Sequence, residues 1–107
     1  MLAVFEAKNN SDENGNPAGG HVTGKGLVVH WQNGPLGRGA ERQEPNGAFV
    51  ETVIVAAKQR LEYYQETKFN CIENQQAIGH LNNALAVLNA RTERREEQAV
   101  EGTHKGN

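Results

Sequence analysis

The chain has 107 residues, of which 36% are hydrophobic and 22% charged, with a formal net charge of −2 and one cysteine. This balance argues against sequence-independent binding to DNA or RNA, which needs a basic surface, and one cysteine excludes an intramolecular disulfide framework. No apolar run reaches the ~20 residues of a membrane span, and the first residues lack a signal-peptide pattern. We therefore expect one cytoplasmic domain.

Residues 1–36 are predicted to be a β region. Residues 2–8 have the composition of a short strand, and residues 9–20 consist almost entirely of turn-forming types. Residues 21–32 are rich in the β-branched and aromatic types that strands prefer. The two strands and the loop between them predict an antiparallel β-hairpin.

Two details refine this β-hairpin. Gly24 and Gly26, inside the second predicted strand, indicate a β-bulge or the close approach of another backbone segment. A short third strand is expected near Pro35 and Leu36, where it would extend the hairpin into a small sheet.

Residues 46–97 are predicted to form a long helical hairpin. Asn46 is of the type that caps helix N-termini, and the first helix is expected at about 47–66. The second helix is expected at about 70–97, and the short connection favours an antiparallel pair. The β region, this hairpin and a C-terminal tail of residues 98–107 predict an α+β fold.

Seam residues recur at alternating intervals of three and four on both predicted helices, as in a coiled coil. On the first helix the seam comprises Val50, Ile54, Ala57, Leu61 and Tyr64. On the second helix it comprises Cys71, Asn74, Ile78, Leu81, Leu85, Leu88, Thr92 and Arg95. A neighbouring stripe comprises Ala77, Ala84 and Arg91. The small alanines would let a second chain approach closely, so we expect a dimer face there.

No arrangement of residues in the sequence indicates catalysis or a metal site. The four histidines fall in different predicted elements without paired spacing, and no phosphate-binding glycine motif is present. Cys71 lies on the predicted seam, where packing explains it better than reactivity does. We therefore expect no enzyme activity, no cofactor and no bound metal.

Polar residues on the predicted seam are the binding candidates. Asn74 occupies an apolar position, either as a register-setting asparagine or as a ligand contact. Arg91, Arg94 and Arg95 cluster near the end of the second helix. They either complement the helix C-terminus and pair with neighbouring glutamates, or bind phosphates.

Spacing limits how these candidates can combine. Asn74 and Arg91 are separated by 17 positions, which is roughly 25 Å along a helix. Tyr64 and Asn74 belong to the loop end of the hairpin, whereas Arg91 and Arg95 belong to its open end. A site that uses both ends must therefore lie between two chains that pair in antiparallel fashion.

Six blocks of sequence occur in a recognisable order. They are Trp31-Gln32-Asn33-Gly34-Pro35-Leu36, Pro45-Asn46-Gly47-Ala48, Arg60-Leu61-Glu62-Tyr63-Tyr64-Gln65, Lys68-Phe69-Asn70-Cys71-Ile72-Glu73-Asn74, Arg91-Thr92 and Val100-Glu101-Gly102-Thr103-His104-Lys105. In these blocks the chain resembles the Thoeris anti-defence sponge proteins of phages, from residue 3 to residue 105. Their helical hairpin is shared with the anti-CBASS cyclic-oligonucleotide sponges.

The resemblance implies sequestration, without cleavage, of the cyclic ADP-ribose signal gcADPR made by Thoeris enzymes. By similarity, the base stacks on Tyr64 and meets Asn74. Arg91 and Arg95 contact the phosphates or cover the base, and Arg38 of the preceding loop joins them. The family often has phenylalanine at the Tyr64 position, a difference that stacking tolerates.

The resemblance also implies partners and further candidate residues. Phe69, beside the loop end, and Thr103, in the tail, complete the set of ligand-binding candidates. The tail leaves the second helix at Gly102, a normal terminator, and is where a pocket for cyclic di- or trinucleotides is expected. Family members form dimers and hexamers, so we expect a homo-oligomer in the host cytoplasm. Two alternatives remain at this stage, an oligomeric structural or regulatory phage protein and an enzyme that degrades the signal.

Overall fold

The computed structural model describes residues 5–106. Its elements in chain order are β1 (Phe5–Ser11), β2 (Pro17–Gly24), β3 (Leu27–His30), a single 3₁₀ turn (Gly39–Glu41), α1 (Val50–Gln65) and α2 (Ile72–Glu97). They form two compact units, the sheet unit (residues 5–49 and 98–106) and the hairpin unit (Val50–Glu97). The predicted α+β fold is confirmed.

The strands of the sheet unit form one antiparallel sheet in the order β1-β2-β3. Lys8 of β1 pairs with His21 of β2, which in turn pairs with His30 of β3. Near one end of the sheet, Phe5 pairs with Gly24. Directly paired residues share a face of a sheet, so Lys8 and the two histidines form a row across one face.

Two details of the predicted β region are wrong. The third strand is β3, which arises by division of the predicted second strand and does not involve Pro35 or Leu36. Gly24 ends β2, and Gly26 has a φ of +77° in the tight turn into β3. The two glycines therefore serve a turn, where a left-handed backbone favours glycine, and not a bulge. The part of the predicted first strand that precedes β1 lies outside the described residues.

The turn between β1 and β2 is organised by Asp12. Its Oδ1 atom accepts hydrogen bonds from the backbone N–H groups of Asn14 and Asn16, both at 2.9 Å. This Asx turn is far shorter than the predicted loop of residues 9–20, much of which belongs to the strands. The backbone hydrogen bond from Asn16 is the largest cause that lowers the pKa of the Asp12 carboxyl.

We expect the β1–β2 turn to weaken in acid. Because the folded-state pKa of Asp12 lies below its usual value of 3.8, the carboxylate stabilises the fold above that value. This contribution is lost as the pH falls through the folded-state pKa. Asp12→Asn keeps an acceptor but cannot titrate, so its melting temperature should fall less steeply than that of the wild type between about pH 5 and pH 2. Equal slopes in a pH series of thermal melts would contradict this assignment.

Side-chain amides fasten two loop segments of the sheet unit together. Gln32 Oε1 accepts hydrogen bonds from the N–H groups of Asn46 at 2.8 Å and Gly47 at 3.2 Å. Asn46 accepts from the N–H of Asn33 at 2.8 Å and donates to its carbonyl at 2.9 Å, as a paired strand would. The prediction that Asn46 caps a helix is therefore wrong, because its side chain is committed to Asn33 and α1 begins at Val50.

Gly47 is required because the Trp31 backbone leaves no room for a Cβ atom, which would lie 2.6 Å from the Trp31 carbonyl carbon and oxygen. We expect Gly47→Ala to force the segments apart and destabilise the sheet unit by about 1–3 kcal/mol. Fluorescence of Trp31, the single tryptophan, would follow the unfolding. Gly79→Ala in α2, where an added Cβ meets nothing within 4 Å, is the control and should be stabilising by ~0.5–1 kcal/mol. If the unfolding midpoint of Gly47→Ala equalled that of the wild type, the close approach of the Trp31 backbone to Gly47 would be contradicted.

The hairpin unit consists of α1 and α2 packed along a thin apolar seam. Ile78 is 7% exposed and is the single buried apolar side chain among the described residues. Ile54 and Leu61 of α1 are half-buried, as are the seam leucines of α2. Large apolar side chains of residues 50–97 that stay exposed are Val50, Val55, Tyr63, Phe69, Ile72 and Val87. No helix in the described part of the chain combines the length and apolar character needed to cross a membrane.

The predicted seam is confirmed at most of its positions, up to the buried Arg95 at its far end, and wrong at three. Val50, Ala57 and Cys71 are exposed, so Cys71 does not have the packing role that its spacing indicated. Heptad spacing therefore identifies the helix face but does not bury every position on it. The 16 residues of α1 span roughly 24 Å and the 26 residues of α2 roughly 39 Å. α2 ends at Glu97, so Gly102 does not terminate it, and Ala99 takes the left-handed conformation instead.

Candidate functional site

The turn between α1 and α2 brings three predicted site residues together. The N–H and the hydroxyl of Thr67 both donate to the Tyr64 carbonyl, at 3.0 and 2.7 Å. Asn74 Nδ2 donates to the Phe69 carbonyl at 3.3 Å. Tyr64, Phe69 and Asn74 therefore lie at one end of the hairpin unit, which we call the turn end.

Gln65 and Thr67 hold the backbone of the turn end in place. Gln65 Nε2 donates to the Cys71 carbonyl at 3.1 Å, and Gln65 Oε1 accepts from the Cys71 N–H at 3.0 Å. Thr67 Oγ1 also accepts from the N–H of Phe69 at 3.1 Å. These bonds connect the last residue of α1 to the residue before α2, so the turn presents its side chains from an ordered backbone.

The amide of Asn74 is oriented by its bond to Phe69. With Nδ2 donating to that carbonyl, Asn74 Oδ1 accepts no hydrogen bond within residues 5–106. A side-chain amide oxygen accepts from the amino group of a base such as adenine. The half-buried Asn74 therefore offers an acceptor at the same end of the hairpin unit as the half-buried Tyr64.

An arginine that the sequence interpretation did not select also belongs to the turn end. The guanidinium carbon of Arg60 lies 5.0 Å from the ring centroids of both Tyr63 and Tyr64. The two rings are 6.1 Å apart and tilted by 48°. Hydrogen bonding with the Tyr64 side chain is the largest cause that raises the pKa of Arg60. Spacing of three and four residues on one helix could have identified this cluster.

The predicted arginines lie near the other end of α2. Arg91 and Arg94 are exposed, whereas Arg95 is 7% exposed. Because α2 is one unbroken helix from Ile72 to Glu97, Asn74 and Arg91 stay roughly 25 Å apart in one chain. The structure thus brings Tyr64, Phe69 and Asn74 together but does not join them to Arg91 within the hairpin unit.

Arg38 is held by the C-terminal tail within the sheet unit. Its guanidinium donates to the Glu101 carbonyl at 2.9 Å and lies 3.7 Å from the Glu101 carboxylate. Arg42 donates to both carboxylate oxygens of Glu101, at 2.9 and 2.7 Å. The Gly37 N–H donates to the Gly102 carbonyl at 2.8 Å. The loop that carries Arg38 and the tail that follows α2 are therefore one assembly.

Thr103 belongs to the same assembly as Arg38. Its hydroxyl donates to the Val100 carbonyl and accepts from the Lys105 N–H, so its polar atoms organise the turn of the tail. Nearby, an open cavity of about 550 Å³ is lined by Pro35, Leu36, Gly37, Ala40, Glu41, Arg42 and Gln43. This cavity lies on the loop that the tail contacts, and none of its lining residues belongs to the tail, so the nucleotide pocket expected around residues 102–104 stays a prediction.

Within residues 5–106, no three His, Cys, Asp or Glu side chains gather as a metal site would require. The groups that do converge at the turn end are aromatic rings, an amide and a guanidinium. Such groups bind bases by stacking and phosphates by charge-assisted hydrogen bonds.

Comparison with known proteins identifies the chain's relatives. No family model matches it. Thoeris anti-defense 1 from Bacillus phage SBSphiJ7 is 43% identical over 82 residues, which are 77% of this chain and 55% of that protein. The chain thus spans about half the length of that relative. The resemblance seen in the sequence is confirmed, and the chain is a homologue of a Thoeris anti-defence protein.

Proposed function

We propose that the chain is an anti-defence sponge, which binds the Thoeris signal gcADPR between two copies of itself and does not cleave it. The observation that carries this proposal is the 43% identity with Thoeris anti-defense 1, a protein named for opposing Thoeris. A sponge lowers the free concentration of the signal in the cytoplasm of the infected cell, so the effector is not activated.

The distribution of binding groups supports a site between two copies. Tyr64 and Asn74 lie at the turn end, and Arg91 is roughly 25 Å away along α2. Two hairpins that pair in antiparallel fashion with two-fold symmetry would bring the turn end of each to Arg91 and Arg95 of the other. Each pair of chains would then contain two equivalent sites.

The exposed apolar surface of the hairpin unit supports self-association. Ile78 is the one apolar side chain buried among the described residues, while Ile72 and Val87 are 65% and 70% exposed. A small chain that buries so little apolar surface gains stability by burying more against a second copy. Part of α2 also extends beyond the length of α1. We propose that this surface forms the homodimer and that dimers assemble into hexamers.

The chemistry of the site suits tight capture without catalysis. Nanomolar affinity corresponds to about −12 kcal/mol. A stacked base contributes roughly 1–3 kcal/mol, and each charge-assisted hydrogen bond roughly 1.5–3 kcal/mol. Several arginine contacts in an enclosed interface would therefore reach that affinity after the cost of ordering the side chains.

A second binding place is proposed in the sheet unit. The open cavity beside Arg42, together with Arg38 and the tail around Thr103, would take cyclic di- or trinucleotides of CBASS systems. Its support is the space of a cavity of about 550 Å³ lined by Arg42, on a loop whose Arg38 and Arg42 are paired with Glu101 of the tail.

The decisive experiment follows the signal through capture and release. Purified protein in excess is incubated with gcADPR, the unbound fraction is removed, and the complex is heat-denatured before mass spectrometry. We expect the signal to vanish from the unbound fraction and to reappear intact after denaturation. Linear product after denaturation would identify an enzyme, and an undiminished unbound fraction would favour a structural or regulatory protein.

A further inference from the structure

Arg60 and Tyr63 cluster with Tyr64 at the turn end, but neither has a role in the proposed site so far. Arg60 and Tyr63 are exposed, and Tyr64 is half-buried. One guanidinium lies 5.0 Å from both ring centroids. Two aromatic rings therefore limit where the guanidinium can go, although it is exposed to water.

Arg60 has no carboxylate partner within 4.0 Å among residues 5–106, in contrast to Arg38 and Arg42, which share Glu101. A guanidinium carries five N–H donors and no acceptor. A hydrogen bond with the Tyr64 side chain uses at most part of this set, and contacts with ring faces use little of it, since a ring attracts the cation mainly through its quadrupole. Arg60 thus retains directed positive charge beside the ring proposed to stack a base.

We infer that Arg60 is a ligand-binding residue of the turn end, where its guanidinium binds a phosphate of the nucleotide whose base meets Tyr64 and Asn74. This inference rests on the proposed function. It makes the turn end of a single chain a recognition element for a base linked to a phosphate. Arg91 and Arg95 of the other chain would then bind a nucleotide whose phosphate charge is already partly neutralised by Arg60.

The orientation of the cluster gives this role a physical basis. A planar guanidinium that rests on aromatic rings is pre-organised, so less side-chain freedom is lost when it binds phosphate. Lysine has the same charge but lacks the planar fork and the stacking surface. The identity of the residue at position 60 should therefore matter in addition to its charge.

The test compares Arg60→Met and Arg60→Lys with Lys58→Met, a matched control that removes one positive charge two positions earlier on α1. Affinity for gcADPR is measured by calorimetry at low and high salt, with melting temperatures as the check on folding. We expect Arg60→Met to lose about tenfold in affinity and part of the salt dependence. Lys58→Met should stay within about twofold, and Arg60→Lys should fall between the two.

Two simpler probes separate this inference from the proposed function. Arg60→Met should weaken binding of 5′-AMP and leave binding of adenosine unchanged, because only the former carries a phosphate. Wild-type binding of 5′-AMP without binding of gcADPR would reject the sponge and leave the Arg60 contact standing. The inference would be overturned if Arg60→Met lost equal affinity for 5′-AMP and adenosine, or lost none. It would also be overturned if Lys58→Met lost as much affinity as Arg60→Met, or if the wild type bound neither 5′-AMP nor gcADPR.

Discussion

Ile78→Asp is expected to unfold the hairpin unit and to abolish binding of gcADPR with it. Ile78 is the apolar side chain most fully buried among the described residues, at 7% exposed. Aspartate there would leave a carboxylate without a partner in an apolar seam, which costs about 3–5 kcal/mol. Small domains are stable by about 5–15 kcal/mol in total, so a seam this thin should not survive the substitution. Loss of the helical circular dichroism signal at ambient temperature would measure this.

Val87→Asp is the matched control for Ile78→Asp. Val87 lies nine residues further along the same helix, on the opposite face, and is 70% exposed. The two variants add the same charge to the same helix, so charge alone predicts equal effects, whereas burial predicts a large difference. We expect the monomer of Val87→Asp to retain its helical signal. A folded Ile78→Asp protein that still binds gcADPR would mean that the seam is elsewhere.

The sequence predicted the helical hairpin because its spacing reflects local geometry. Intervals of three and four place residues on one helical face whatever surrounds the chain. This is why α2 was predicted to within two residues at its start and Ile78 was placed on the seam. The prediction that Val50, Ala57 and Cys71 are packed on the seam is wrong, because spacing gives the face of a helix but not how far each position on it is covered.

The hydrogen bonds that join distant segments of the sheet unit could not be predicted from residue spacing. Asn46 is of a type that both caps helices and bonds to distant backbone. The sequence cannot choose between these uses, because the partner, Asn33, is 13 residues away and becomes a neighbour only through the fold. The bond between Arg38 and Glu101 spans 63 residues and was unpredictable for the same reason.

At the turn end too, the sequence predicted which residues lie together but not all of the contacts between them. Spacing and turn length predicted that Tyr64 and Asn74 would lie at one end of the hairpin. The role of Gln65 in holding Cys71 was not predicted, since glutamine is common on exposed helices. Arg60 is not among the predicted site residues because it lies on α1, away from the seam of α2 that carries the predicted arginines, although its spacing from Tyr64 indicates the contact.

Arg91→Ala is expected to lower the affinity for gcADPR by about 10- to 100-fold without unfolding the protein, because charge-assisted hydrogen bonds to phosphate are lost. Arg91 is exposed, so its removal leaves no buried group unsatisfied. Arg95 is a poorer probe, since it is buried and its removal would perturb packing as well. Arg94→Ala, an exposed arginine on the same helix, is the control and should bind within about twofold of the wild type.

Co-expression of Arg91→Ala with Tyr64→Ala tests directly whether the site is shared between chains. Each variant alone should bind poorly, because every site in its homodimer lacks either the guanidinium or the ring. A mixed dimer has one site with both defects and one site with neither, by two-fold symmetry. Random mixing should therefore restore about a quarter of the wild-type capacity for gcADPR, at wild-type affinity. A site formed within one chain could not be restored in this way, so the absence of recovered high-affinity binding in a confirmed mixed dimer would refute the shared pocket.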